Sequence, residues 1–196
     1  LYFRQQVLSH YDGHHLIADE SGDFDKDVLT QFPQTESLVA PPIQNEQFHT
    51  RVPTSMYLLV DHPQPFALTG SVKLDPIENP NPSRFVAAYG VSSFVLSTDY
   101  RRLVGRASVD PDWTEAEEKH YLQTPDDPRY TALAEEILRD VDPRFAGDDL
   151  MKALMIKRYL EKEGFYTRTV KYKSDEDPAA AFLFGDKRGY CRSEEH

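Results

Sequence analysis

The sequence has one cysteine, Cys191, which excludes an internal disulfide framework and any multi-cysteine zinc site. Basic residues are few beside acidic ones: 22 Lys and Arg against 33 Asp and Glu leave a formal net charge of −11. That balance argues against nucleic acid as a partner, because phosphate binding needs a basic face. Long apolar runs are also missing. The longest, "AAAFLF", falls far short of a bilayer span. No internal repeat and no low-complexity tract interrupts the chain. What is present is ordinary for a folded domain: 39% hydrophobic and 12% aromatic residues over 196 positions. That is enough for one large domain or two small ones.

The two halves differ in hydrophobic period. Up to about Asp110 the apolar residues come in short runs broken by Pro, Gly and Asn. Met56 to Val60, Phe66 to Leu74, Arg84 to Val91 and Ser93 to Ser97 have the length and the aromatic or β-branched content of strands. "ENPNPS" (Glu78 to Ser83) reads as a loop between two of them, and the spacing predicts an antiparallel sheet or small sandwich. Asp19 to Pro53 is acidic, proline-bearing and weakly patterned, with one strand expected near Gln47 to Val52.

After Pro111 the period lengthens to that of helices. Thr114 and Glu117 have capping-box spacing for a short helix to about His120. Asp127-Pro128 fits the cap and first position of a second helix, with Tyr130, Leu133, Ala134, Ile137 and Val141 on one stripe and Pro143 as its stop. A third runs from Asp148 or Asp149 to Glu163 and ends at Gly164; its apolar residues cover more than one face, which predicts deep burial. Phe165 to Tyr172 alternates like a strand, and Asp177-Pro178 opens a short helical turn through Phe184. These patterns predict an α+β protein: a β-rich N-terminal domain over residues 1–110, then a helical region over 111–196.

Several constellations carry chemistry on paper. Asp23, Asp25 and Asp27 alternate as in a calcium loop, yet Val28 and Gln34 stand where that loop needs Gly and Glu, so a solvated acidic loop is the better reading. His10, His14 and His15 cluster, but adjacent strand residues face opposite ways, and a hairpin turn at Asp12-Gly13 explains "YDGHH" without a metal. Glu117-Glu118 and Glu135-Glu136 lie opposite the apolar stripes, as surface carboxylates do.

Cys191 has a more suggestive setting. It follows the glycine-flanked loop "GDKRG", and a helix starting at about Cys191 would stabilise a thiolate through its first-turn amides. Lys187 and Arg188 would add positive potential. An accessible thiol of low pKa is what nucleophilic acyl transfer needs; a small buried core residue is the alternative.

The segment "DPAAAFLFGDKRGYC" (Asp177 to Cys191) resembles the nucleophile segment of the bacterial transglutaminase-like family, a group of papain-like thiol enzymes. "YLQTP" (Tyr121 to Pro125), "LAEEIL" (Leu133 to Leu138) and "KALMIKRYLEKEGFYT" (Lys152 to Thr167) look like the helices that precede the cysteine there. "YFRQQVLSHYDG" (Tyr2 to Gly13) is similar to the strand and turn that often begin the family's extracytoplasmic region. The resemblance implies that residues 111–196 are the helical first part of a transglutaminase-like domain and that Cys191 is its nucleophile. It also implies that the catalytic His and Asp come some tens of residues later, each on a strand. "RSEEH" departs from the family, where small or aromatic residues follow the cysteine.

The resulting expectation is the N-terminal portion of a transglutaminase-like protein, truncated just after the nucleophile and inactive alone. In the intact protein it implies acyl transfer or amide hydrolysis through a thioester on Cys191, with the Cys191 amide as oxyanion donor. The same resemblance implies a protein or peptide substrate, no cofactor and no metal. It further implies an extracytoplasmic location, with membrane attachment only through segments outside this sequence. The rival expectation is a non-catalytic interaction or structural module of the cell envelope. Oligomeric state stays open.

Overall fold

Alternation in the first half and helical spacing in the second produce an α+β protein, described by a computed structural model for residues 3–12, 15–108, 112–167, 169 and 177–189. In chain order the strands are β1 (Phe3–Arg4), β2 (His10–Tyr11), β3 (Leu16–Ile17), β4 (Leu38–Val39), β5 (His49–Leu58), β6 (Ala67–Leu68), β7 (Ser71–Pro76), β8 (Ala87–Leu96), β9 (Phe165–Tyr166) and β10 (Arg188–Gly189). The helices are α1 (Glu115–Tyr121), α2 (Pro128–Leu138), α3 (Asp149–Glu163) and α4 (Pro178–Phe184). The chain divides into two compact units. One takes the residues up to Ser9 with Ala18–Asp99; the other takes His10–Ile17 with the residues from Tyr100 onward.

The first unit is built on a four-stranded antiparallel sheet of order β4-β7-β8-β5. The strands expected at Gln47 to Val52 and Met56 to Val60 are one strand, β5. It pairs with β8 from His49 opposite Leu96 to Leu58 opposite Ala87. Pro53 does not break it, because β5 is an edge strand and loses no ladder bond on its outer side. Leu59 and Val60 lie past its end and are exposed. Arg84 to Val91 and Ser93 to Ser97 likewise merge into β8. The expected run Phe66 to Leu74 divides instead into β6 and β7 at Gly70, whose φ is 77° and where a Cβ would overlap the Phe94 carbonyl oxygen.

The core of this unit is Leu58, Ala67, Leu74, Tyr89 and Val91, with Leu74 0% and Tyr89 1% exposed. Burying a side chain of this size contributes roughly 1.5–3 kcal/mol. Tyr89 also brings a hydroxyl into the core, where it must be satisfied. It donates to the Phe66 carbonyl at 3.0 Å and accepts from the Phe66 N–H at 2.8 Å. Phe32 stands edge-on to its ring at 5.5 Å.

The second unit begins with the hairpin β2–β3, His10 opposite Ile17 and Tyr11 opposite Leu16. Asp12 closes its turn: its N–H donates to the His15 carbonyl at 3.0 Å, and its carboxylate accepts from the His15 N–H at 2.6 Å. α1 opens on the full capping box of Thr114 and Glu117. α2 starts from Asp127 with Pro128 in its first turn, and α3 from Asp148. α2 packs on α3. The deep burial expected of α3 is not found: none of its residues is buried, and Leu150, Met151, Leu154, Met155 and Ile156 are only partly buried. Of the strand expected over Phe165 to Tyr172, Phe165–Tyr166 forms, paired in parallel with β10; residues 168 and 170–176 lie outside the described residues.

Candidate functional site

The segment that leads to Cys191 is organised from Asp177. Asp177 caps α4, its carboxylate accepting from the Ala179 N–H at 2.9 Å, and Pro178 occupies the first helical position, where no N–H is needed. The helix lasts seven residues and stops at Gly185, whose N–H donates to the Ala181 carbonyl at 3.1 Å. A side chain at Gly185 would collide with that same carbonyl. Lys187 then turns the chain in the left-handed region, φ 55°, unusual for a residue with a Cβ.

From this turn onward the chain is stitched to β9. The Lys187 carbonyl accepts from the Phe165 N–H at 2.9 Å, and the Gly189 carbonyl from the Thr167 N–H at 2.8 Å. Cys191 is two positions further along and lies outside the described residues.

The two cations expected to sit near the thiol have other partners. The Lys187 ammonium lies 4.0 Å from the Glu163 carboxylate and 5.3 Å from the Tyr159 ring centre. Its pKa is raised, first by the hydrogen bond to Tyr159. The Arg188 guanidinium is 3.9 Å from the Asp186 carboxylate and lies over Phe165. Each of the two cations thus has a carboxylate within 4.0 Å that offsets part of its charge.

Asp177 does more than cap α4. The same carboxylate oxygen, Oδ2, accepts the hydroxyl of Tyr130 at 2.8 Å and that of Tyr11 at 3.0 Å. Tyr130 comes from the first turn of α2 and Tyr11 from the end of β2, so three elements of the second unit meet on one carboxylate. Burial pushes the Asp177 carboxyl up, but the bonds from Tyr130, Ala179 and Tyr11 outweigh it and hold the pKa below the usual carboxylate value. The phenols move the other way. Burial first, then the Asp177 carboxylate, raises Tyr11 to about 12 and Tyr130 further still.

Beside this junction is an open cleft of about 470 Å³ whose walls include Tyr11, Asp127, Arg129, Asp177 and Phe184. Arg129 is held by Asp127 at 2.6 Å and lies over the Phe184 ring at 4.4 Å, while Tyr130 meets that ring edge-on at 5.1 Å. No family model, no curated protein and no solved structure matches the chain.

The remaining candidates stay apart. Asp19 accepts from Ser21 and Gly22, and Asp25 from the Ser9 hydroxyl at 2.6 Å. Among the described residues no group of three His, Cys, Asp or Glu could hold a metal. His10 stacks on His120 at 6.0 Å, and His14 lies outside the described residues. Glu118, Glu135 and Glu136 are exposed, and Glu117 is held in the capping box.

Tyr11 and Tyr130 were not legible as partners of Asp177. Tyr130 appears in the sequence as one residue of an apolar stripe, and Tyr11 as part of a turn. Neither the 47-residue nor the 166-residue separation leaves a local pattern.

Proposed function

We propose that this chain is part of a transglutaminase-like protein, a β-rich domain followed by the helical first part of a papain-like domain, and that Cys191 is its nucleophile. The observation that carries the reading is the segment Asp177–Gly189. Its capped helix, glycine stop, left-handed Lys187 and paired β10 give the resembling sequence a defined path to within two residues of the cysteine. In this reading the Cys191 thiolate attacks the carbonyl carbon of a protein or peptide amide. The S–C bond forms, the C–N bond breaks, and the nitrogen leaves as ammonia or amine with the proton given up by the thiol. A primary amine or water then attacks the thioester, the C–S bond breaks and the thiol is restored. The base that moves these protons is assigned to the His and Asp that the family carries after the cysteine. An extracytoplasmic location and membrane attachment through other segments belong to the same reading.

The pH dependence of Cys191 alkylation by iodoacetamide tests it, and the chain's single thiol makes the assay unambiguous. An activated nucleophile reaches its plateau rate well below the ordinary thiol pKa of about 8.5. A profile centred on that value would remove the activated thiol from the account. The second reading, a non-catalytic envelope module, draws on the partners that Lys187 and Arg188 already have, and such a profile would favour it.

A further inference from the structure

Three helical segments of the second unit open on Asp-Pro among the described residues, and one of them reaches far along the chain. Asp127-Pro128-Arg129 and Asp142-Pro143-Arg144 are self-contained. In each, the carboxylate accepts from the backbone N–H of the arginine two residues on and pairs with its guanidinium at 2.6 Å. Asp177-Pro178-Ala179 keeps the backbone bond, but its third residue carries no charge. The hydroxyls of Tyr130, on α2, and Tyr11, on the hairpin β2–β3, bind the carboxylate instead. The Tyr130 bond stays among the helices. The Tyr11 bond fastens a piece of chain 166 residues away that lies in sequence between two stretches of the first unit.

That hairpin is held without burial of its apolar residues: Leu16 is 57% exposed and Ile17 40%. β2 and β3 are two residues each, too short to be stable as an isolated hairpin. Its ties to the helices include the stack of His10 on His120 of α1, 6.0 Å between ring centres, and the Tyr11 hydroxyl on Asp177 at 3.0 Å. α4 is marginal in the same way. It has seven residues and one buried side chain, Ala180, so its order comes from tertiary ties. Phe184 anchors its far end on Arg129 and Tyr130 of α2, while its first turn depends on Asp177.

We propose that β2–β3 is a latch on the first turn of α4, a strap that docks and releases while α2 and α3 stay folded, with the Tyr11–Asp177 bond as its catch. Docked, it adds a charge-assisted bond to the capping carboxylate and places Tyr11 in the wall of the cleft beside Asp177, Ala181 and Phe184. Released, it takes that wall away and leaves the carboxylate to Tyr130. Elements with little buried apolar surface open at lower free energy than the unit that carries them. Because the bond is shared, the coupling is reciprocal: loosening the hairpin loosens the first turn, and loosening the first turn loosens the hairpin. The latch is independent of the chemistry proposed for Cys191.

Amide hydrogen exchange of the full chain, read residue by residue by NMR, tests it. The Asp12 and His15 amides report on the hairpin, Ala179 and Ala181 on the first turn of α4, and Leu154 to Arg158 on the interior of α3. In the wild type the first two sets are expected to exchange faster than the third. Tyr11→Phe keeps the ring and removes the catch. It should speed the hairpin and first-turn amides together by about tenfold, the loss of one hydrogen bond to a charged group, and leave α3 unchanged. His10→Ala should speed Ala179 and Ala181 although its ring lies on α1, and Asp177→Asn should speed Asp12 and His15. Faster hairpin exchange in Tyr11→Phe with Ala179 and Ala181 unchanged overturns the proposal, and so does no change in either set. Equal acceleration of all three sets is a general loss of stability and overturns it too. If Tyr11→Phe does not fold, the other two variants decide: a hairpin and a first turn that do not respond to each other overturn the latch.

Discussion

The Tyr130 hydroxyl donates to Asp177 Oδ2 across 2.8 Å, and the hydroxyl of Tyr11 reaches the same oxygen at 3.0 Å. That shared atom joins a hairpin near the start of the chain, the helix α2 and the short helix α4. It also ties the ionisation of three residues together, in a way that can be measured.

The phenols are the first test. Raised pKa values mean that Tyr11 and Tyr130 add stability that is fully present below the unfolded phenol value of about 10. That stability is lost as pH rises through the folded values, about 12 for Tyr11 and higher for Tyr130. Tyrosinate ultraviolet absorbance is expected to show a late phase in addition to the main transition of the 11 tyrosines. Tyr89, also raised by burial, contributes to the late phase. In Asp177→Asn the late phase should move part of the way back and not wholly, because burial, the larger cause, remains. An unchanged late phase would mean that the carboxylate does not act on the phenols.

The carboxylate gives the mirror-image result. Its pKa is depressed, so its contribution is present above the ordinary carboxylate value of about 3.9 and is lost as pH falls through the folded value. Urea midpoints measured across the acid range should fall less steeply for Asp177→Asn than for the wild type. Asp177→Ala removes the cap as well and should destabilise the second unit by about 0.5–2 kcal/mol at neutral pH. Parallel acid profiles for wild type and Asp177→Asn would contradict the depressed pKa.

Which of these features can be read from residues alone follows from their range. Caps, stops and turns are local, so Thr114 with Glu117, Asp127 with Pro128 and the Asp12 turn appear in the sequence as they appear in the fold. Strand ends were less legible. Pro53 reads as a break, but on an edge strand it removes no ladder bond, so two expected strands are one. Gly70 gave no warning that it divides β6 from β7, because the Phe94 carbonyl that forbids a side chain there is brought close only by the fold. α3 looked buried because its apolar residues spread round the helix, yet its partner α2 covers only part of it. For the site, the local half was legible in "DPAAAFLFG". The long-range half, Tyr11 and Tyr130, was not, since hydrogen bonds across 47 and 166 residues carry no periodicity.

The first unit has its own test in Tyr89. Tyr89→Phe keeps the ring against Phe32 but leaves the Phe66 N–H and carbonyl without their partner. Leaving such groups unsatisfied in a buried setting costs about 1–3 kcal/mol. A lowered thermal midpoint and faster hydrogen exchange at the Phe66 amide are expected. A variant as stable as wild type, with Phe66 still protected, would show that the hydroxyl does not pin β6.

The most direct test of the account is intact mass spectrometry of the full-length protein incubated with a glutamine-containing peptide and quenched in acid. The prediction is an acyl adduct on Cys191, formed with release of ammonia, that disappears when a primary amine is added and never forms in Cys191→Ala. An adduct that persists in Cys191→Ala, or none at all while ammonia is released, would contradict Cys191 as the nucleophile.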